Sequence, residues 1–190
     1  EAGNELSDFI RVGGVRGATD FMSVMRSYQA PAQNMLVADR AGHIAIRSTG
    51  RFPVRPNNEG QLLRDGTTSA TDWRGDLPVE RYPQAFDPPQ GFLASANQQP
   101  RDPASDPFYL GAGWYAPWRA MRINALLRAD SSVTPDDMRR FQTDPGSARV
   151  EAFRPLLMGA ARRLWLLGAP RGRGTDLVNA TQKLFEWDGT

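Results

Sequence analysis

The residue best suited to chemistry in this chain is Asn97, at the end of the run Pro88-Pro89-Gln90-Gly91-Phe92-Leu93-Ala94-Ser95-Ala96-Asn97. Its side-chain NH₂ donates hydrogen bonds and carries no charge at any pH. Small residues before it allow a ligand or another backbone to come close. A neutral donor fixed at the end of a strand is what an oxyanion hole requires, because it stabilises developing negative charge without protonating it. The same residue, ahead of Gln98-Gln99-Pro100, could instead cap a turn. Arg119 and Arg122 are spaced as neighbours on one side of a helix, which reads from the residues alone as a solvated basic face.

Other chemistries are poorly supplied. His43 is the only histidine, and it follows a turn glycine in a hairpin pattern, so a Ser–His–Asp triad and multi-histidine metal sites are both disfavoured. The chain has no cysteine, which removes thiol catalysis, disulfides and cysteine-based zinc sites. No glycine loop with a phosphate-binding lysine joins a strand to a helix. Arg171 and Arg173, between Gly172 and Gly174, are too few for a nucleic-acid surface.

The elements that must position Asn97 follow from pattern. Asp20–Tyr28 has apolar residues at helical spacing, with Thr19 as a candidate cap and Pro31 as a stop. Two apolar runs, from Met35 and from Ile44, flank Asp39-Arg40-Ala41-Gly42, which predicts a β-hairpin with Gly42 at positive φ. Residues 51–90 are rich in Pro, Gly, Asn, Asp and Thr and predict a long irregular loop, either walling a pocket or simply packed, with Trp73 and Phe86 as candidate anchors. Residues 92–97 predict a short strand. Pro117 suits the first turn of a helix reaching Arg128, with Trp118, Met121, Ala125 and Leu126 on its buried face. Thr134-Pro135-Asp136-Asp137 is a strong helix start. A further helix opens at Ser147 and should kink or split at Pro155, and a last one follows a Thr175 cap to about Glu186, after a loop over 168–174.

Composition sets the limits. At 190 residues, 40% apolar with five Trp, the chain can bury a real core and is not of a disordered type. No apolar run reaches the length of a membrane span, and Glu1-Ala2-Gly3-Asn4-Glu5 lacks the basic head and apolar middle of a signal peptide. Formal net charge is only +2, and Lys183 is the sole lysine, so Arg carries nearly all the positive charge. Arg favours forked pairing with carboxylates.

The order Trp73-Arg74-Gly75, Pro78, Pro83, Pro88, Gly91-Phe92-Leu93, Ala96-Asn97, Pro103-Ala104-Ser105-Asp106, Arg119 and Ile123, together with Asn34, Ala38, Asp39, Gly42 and Ile44 of the hairpin, resembles the penicillin amidase (penicillin acylase) family of N-terminal-nucleophile hydrolases. The resemblance runs from Gln33-Asn34 to Trp187-Asp188-Gly189. It implies an α+β segment of an αββα sandwich, with residues 1–100 holding the hairpin, the wall loop and the oxyanion strand, and 101–190 mostly helical. It implies that Asn97 supports the oxyanion, that Arg119 is an active-site arginine, and that Asp106 is one ligand of a structural calcium whose other ligands lie mostly elsewhere. Asp106 before Pro107 could equally open a turn. Gln98 departs from the family pattern, where a second Asn is expected.

The same resemblance implies an N-terminal serine upstream of Glu1 in the nucleophile-bearing chain, and hence a fragment inactive by itself. Partners are then the remaining chains of the enzyme and a small N-acyl amide, either a penicillin-type β-lactam or an N-acyl homoserine lactone. The implied location is periplasmic or secreted. The alternative is a non-catalytic interaction module, or a relative that has lost its site, using the loop over 51–90.

Overall fold

The computed structural model describes residues 5–102, 104–105, 108–166 and 174–187. The chain divides into two compact units, Glu1–Tyr115 and Ala116–Thr190.

In the first unit the helices α1 (Glu5–Val12) and α2 (Ala18–Val24) precede a sheet of three antiparallel strands, β1 (Gln33–Ala38), β2 (Ile44–Thr49) and β3 (Gln84–Phe86), in the order β1-β2-β3. The hairpin forms as its sequence predicts. Val37 pairs with Ala45 and Asn34 with Ser48, and Gly42 takes φ +92° in the turn. Alternation along β2 sends Ala45 toward α2, where it is buried with Ala18 and Met22 and flanked by Val37. The helix is shorter than expected and starts two residues earlier, with Gly17 rather than Thr19 at its N-cap. Asp39 explains that start. Its Oδ2 accepts from the Ala18 amide at 3.0 Å, while Oδ1 accepts from the amides of Ala41 (2.9 Å) and His43 (3.0 Å). One carboxylate thus serves a helix N-terminus and a hairpin bend, and these amides, Ala18 first, hold its pKa below the usual carboxylate value.

Residues 51–90 are irregular, as expected, apart from three 3₁₀ turns (Pro56–Asn58, Ser69–Thr71 and Val79–Arg81) and β3. The anchors differ from those the sequence suggests. Trp73 is 64% exposed and lies beside the Arg55 guanidinium, and Phe86 is 43% exposed. Phe52, Leu77 and Tyr82 form the buried cluster instead, with Phe52 and Tyr82 edge-to-face at 4.7 Å. The predicted strand over 92–97 is also corrected: the segment has no regular secondary structure, bends at Ala96 and Asn97, and joins no strand ladder.

The second unit holds α3 (Trp118–Ala129), α4 (Pro135–Gln142), α5 (Ala148–Leu166) and α6 (Gly174–Glu186). Thr134 caps α4 through a full capping box with Asp137, with Pro135 in the first turn. Helix α5 runs through Pro155 as one element. Helix α6 begins at Gly174, so Thr175 lies inside it; of the loop expected over 168–174, residues 168–173 fall outside the described residues. The buried residue of α3 is Ala120, while Met121 is 48% exposed. Arg122 explains the rotation of that face: its Nε and Nη2 donate to Asp144 at 2.7 and 2.8 Å, and its Nη1 donates to Glu151 at 2.9 Å. This forked pairing ties α3 to the α4–α5 connection and to α5. Of the basic pair, Arg122 carries structure.

Candidate functional site

Asn97 sits in a turn at φ +62°. Asn tolerates this left-handed region better than most residues with a Cβ. The neighbouring hydrogen bonds show how the turn closes. Gln98 folds back so that its Oε1 accepts from the Ala96 amide at 2.7 Å and its Nε2 donates to the Ala94 carbonyl at 3.4 Å. The residue that departs from the expected motif thus serves as the local clamp. The Asn97 carbonyl in turn accepts from the Tyr115 amide at 3.0 Å.

This turn borders a groove of about 290 Å³ in the first unit. Its floor comes from the ends of the hairpin strands (Asn34, Ser48) and its sides from Ser95, Asn97 and the Trp114-Tyr115 pair. Trp114 is braced by its Nε1, which donates to the Gly111 carbonyl at 3.0 Å. The polar part of the lining is made of amides and hydroxyls, and no Asp, Glu, Arg, Lys or His is among the described residues that line it. These groups are uncharged and hold their protonation state across the physiological range.

The strand ends are fixed for simple reasons. Asn34 and Ser48 are directly paired across β1 and β2, and Ser48 Oγ donates to Asn34 Oδ1 at 2.7 Å. Asn34 Nδ2 then donates to Ser95 Oγ at 2.9 Å, across a sequence separation of 61. Thr49 Oγ1 donates to the Gln33 carbonyl at 3.0 Å, holding the same end of the hairpin. Gly50, at φ +123°, lets the chain leave β2 against Ala32.

Arg119 lies in the second unit, on the first turn of α3, and lines a separate hollow of about 450 Å³ with Trp118, Ile123, Met138 and Phe141. Asn97 and Arg119 therefore belong to different units, each described within its own. Asp106 lies outside the described residues. Among the described residues no group of three or more acidic or histidine side chains could hold a metal ion.

His43 is not in the groove. Its Nδ1 lies 2.6 Å from Asp87 Oδ2, and the Asp87 Oδ1 accepts from the Ile44 amide at 2.9 Å. The bond to Asp87 pushes the imidazole pKa up, while the Ile44 amide, then His43, push the Asp87 carboxyl down. Through Asp87, His43 thus fastens the start of β2 to the end of β3.

Sequence reasoning identified Asn97 but passed over Ser48, Ser95, Trp114 and Tyr115 as site residues, and placed Asn34 only as part of the hairpin. Ser48 carried one usable signal: it is opposite Asn34 in the register that a tight hairpin turn fixes.

All residues, 1–190, match the family model described as penicillin amidase. The chain is similar to the penicillin acylase 2 proenzyme of a Pseudomonas species, 31% identical over 180 residues, covering 94% of this chain and 22% of that protein. It is similar to the acyl-homoserine lactone acylase QuiP of Pseudomonas aeruginosa, 29% identical over 100% of this chain and 23% of that one. Penicillin G acylase of Escherichia coli is 30% identical over 85% of this chain and 20% of its own length. The chain thus spans less than a quarter of these relatives. A solved structure, thermostable penicillin G acylase from Alcaligenes faecalis, superposes with a TM-score of 0.75 at 22% identity, covering 98% of this chain and 32% of that one. That likeness bears out the expected fold: mixed α and β, and part of the N-terminal-nucleophile hydrolase architecture.

Proposed function

Because the chain belongs to the penicillin amidase family, we propose that the protein containing it hydrolyses N-acyl amide bonds and that this segment contributes the oxyanion donor. A serine at a chain N-terminus, on polypeptide outside these residues, attacks the amide carbonyl carbon, and its own α-amine takes the hydroxyl proton. The carbonyl oxygen becomes the oxyanion, and the Asn97 NH₂ donates to it. The C–N bond then breaks and the amine leaves with the proton returned by the base. Water attacks the acyl ester, the donor acts a second time, and the carboxylic acid departs.

The observation that carries this reading is the placement of Asn97 at a bend bordering a groove lined by uncharged residues. A donor that cannot titrate stabilises the charged intermediate without quenching it, and its dipole is already oriented before the reaction begins. Arg119 is proposed to organise the surroundings of the nucleophile as a permanent cation. Relatives named as penicillin and acyl-homoserine lactone acylases support a small N-acyl amide as substrate. Asp106 is proposed, on the family resemblance, to give one oxygen to a calcium ion whose other ligands lie mostly outside this chain. The ion has no assigned step in the reaction. A periplasmic or secreted location is proposed with the family, and no described helix is long and apolar enough to cross a membrane.

The test is Asn97→Ala in the complete, processed enzyme. Turnover of an N-acyl substrate is expected to fall by about 10²–10³-fold with folding intact, the usual cost of losing one oxyanion donor. Turnover within a few-fold of the parent would remove Asn97 from the mechanism.

A further inference from the structure

We infer that Asn34 is a positioning residue for the oxyanion donor, acting through Ser95; this rests on the reading of Asn97 given above. The segment carrying Asn97 joins no strand ladder, so nothing in the regular hydrogen bonding of the sheet sets its place. The clamps by Gln98 tie it to itself. The bond from Asn34 Nδ2 to Ser95 Oγ ties it to the sheet, at 2.9 Å. Ser95 precedes Asn97 by two residues, a separation of at most about 7 Å along the chain. Anchoring Ser95 therefore leaves Asn97 little room to wander relative to the groove.

The geometry of the Asn34 amide is over-determined, which makes it a good anchor. A side-chain amide has one accepting and one donating end. Ser48 Oγ donates to the Oδ1 end at 2.7 Å, so the NH₂ end must face the other way, toward Ser95. Ser48 is itself buried, and its backbone amide donates to the Pro83 carbonyl at 2.8 Å, just ahead of β3. A relay thus runs from the interior of the sheet through Ser48, Asn34 and Ser95 to the turn at Asn97. An oxyanion donor must be set to within about half an ångström to be effective, and such tolerance comes from a supporting layer of hydrogen bonds.

The experiment uses the complete, processed enzyme with Asn34→Leu and Ser95→Ala, each made in the parent and again in Asn97→Ala. With Asn97 present, each variant is expected to lower kcat by about ten- to a hundredfold, the scale of small misplacement at a reacting centre, with KM held within about twofold. In the Asn97→Ala background neither is expected to change the residual kcat by more than about twofold, because the residue being positioned is gone. Should Asn34→Leu fail to fold, Ser95→Ala, on an exposed position, carries the test alone. A kcat within twofold of the parent for Ser95→Ala, or an undiminished loss in the Asn97→Ala background, overturns the inference. If Asn97→Ala is itself fully active, the oxyanion assignment is what has failed. If Asn97→Ala is crippled while Ser95→Ala is normal, only the positioning role falls.

Discussion

At the scale of single residues, the one histidine of the chain is paired with a carboxylate remote from it in sequence. His43 and Asp87 face each other across the junction of β2 and β3, half exposed, with Asp39 and its three backbone donors behind them. The imidazole pKa is raised above its ordinary 6.5. The protonated form therefore contributes stability that is fully present below about pH 6.5 and fades as the pH climbs through the folded value. Asp87, whose pKa is held below its ordinary 3.8, contributes in the other sense and loses its share only as the pH falls through the folded value. In the complete protein, the thermal midpoint of His43→Gln should fall below that of the parent at about pH 5–6, and the difference should vanish by about pH 9. An equal difference at both ends would mean that the imidazole charge is not involved. The gap should be small, because solvent screens a pair this open.

At the scale of elements, local rules carried far. The hairpin was legible because its turn chemistry and its two apolar runs sit within one short stretch, and the capping box at Thr134 because all its parts lie within four positions. Long-range causes were not legible. β3 is only three residues long and exists because β2 offers it a free edge. The segment ending at Asn97 looked like a strand because bulky apolar residues followed by small side chains suit one, yet it joins no strand ladder. The face that α3 buries is set by Asp144 and Glu151 gripping Arg122, and neither is near it in sequence. Asn97 stood out as a neutral donor after a run of small residues, but the resemblance was needed to choose the oxyanion role over a turn cap, whereas the Asn34–Ser95 bond spans 61 positions and has no local signature.

Gly50 gives the prediction proper to this scale. A Cβ there would meet the Ala32 Cα and Cβ at 2.8 Å, at a φ of +123° that side chains rarely adopt. Backbone cannot swing aside as a long side chain can. Gly50→Ala should cost about 1–3 kcal/mol from the conformation alone, with the clash added, as measured by denaturant unfolding. Ala32 lines the groove, so kcat should drop as well. An unchanged midpoint would show that the end of β2 is looser than the register implies.

At the scale of the whole molecule, the apolar surface left open is the informative quantity. Leu6 and Ile10 on α1 are 75% and 71% exposed, Leu156 and Leu166 on α5 are 68% and 75% exposed, and Leu36 on β1 is also open. Solitary exposed apolar residues are ordinary, but grouped ones mark surfaces meant to be covered. The chain spans less than a quarter of its curated relatives, and the rest of such a protein is the natural cover. Expressed alone, these residues should enhance ANS fluorescence strongly, self-associate, and hydrolyse no N-acyl amide. A monodisperse chain silent to the dye, or one that turns over substrate, would contradict this.

Asp39 has a consequence of its own. By gathering amides from the first turn of α2 and from the hairpin bend onto one carboxylate, the chain makes two unrelated pieces of backbone share a single knot. Neither can fray without slackening the other, so a helix remote from the groove helps to keep the hairpin, and through it the floor of that groove, in tension.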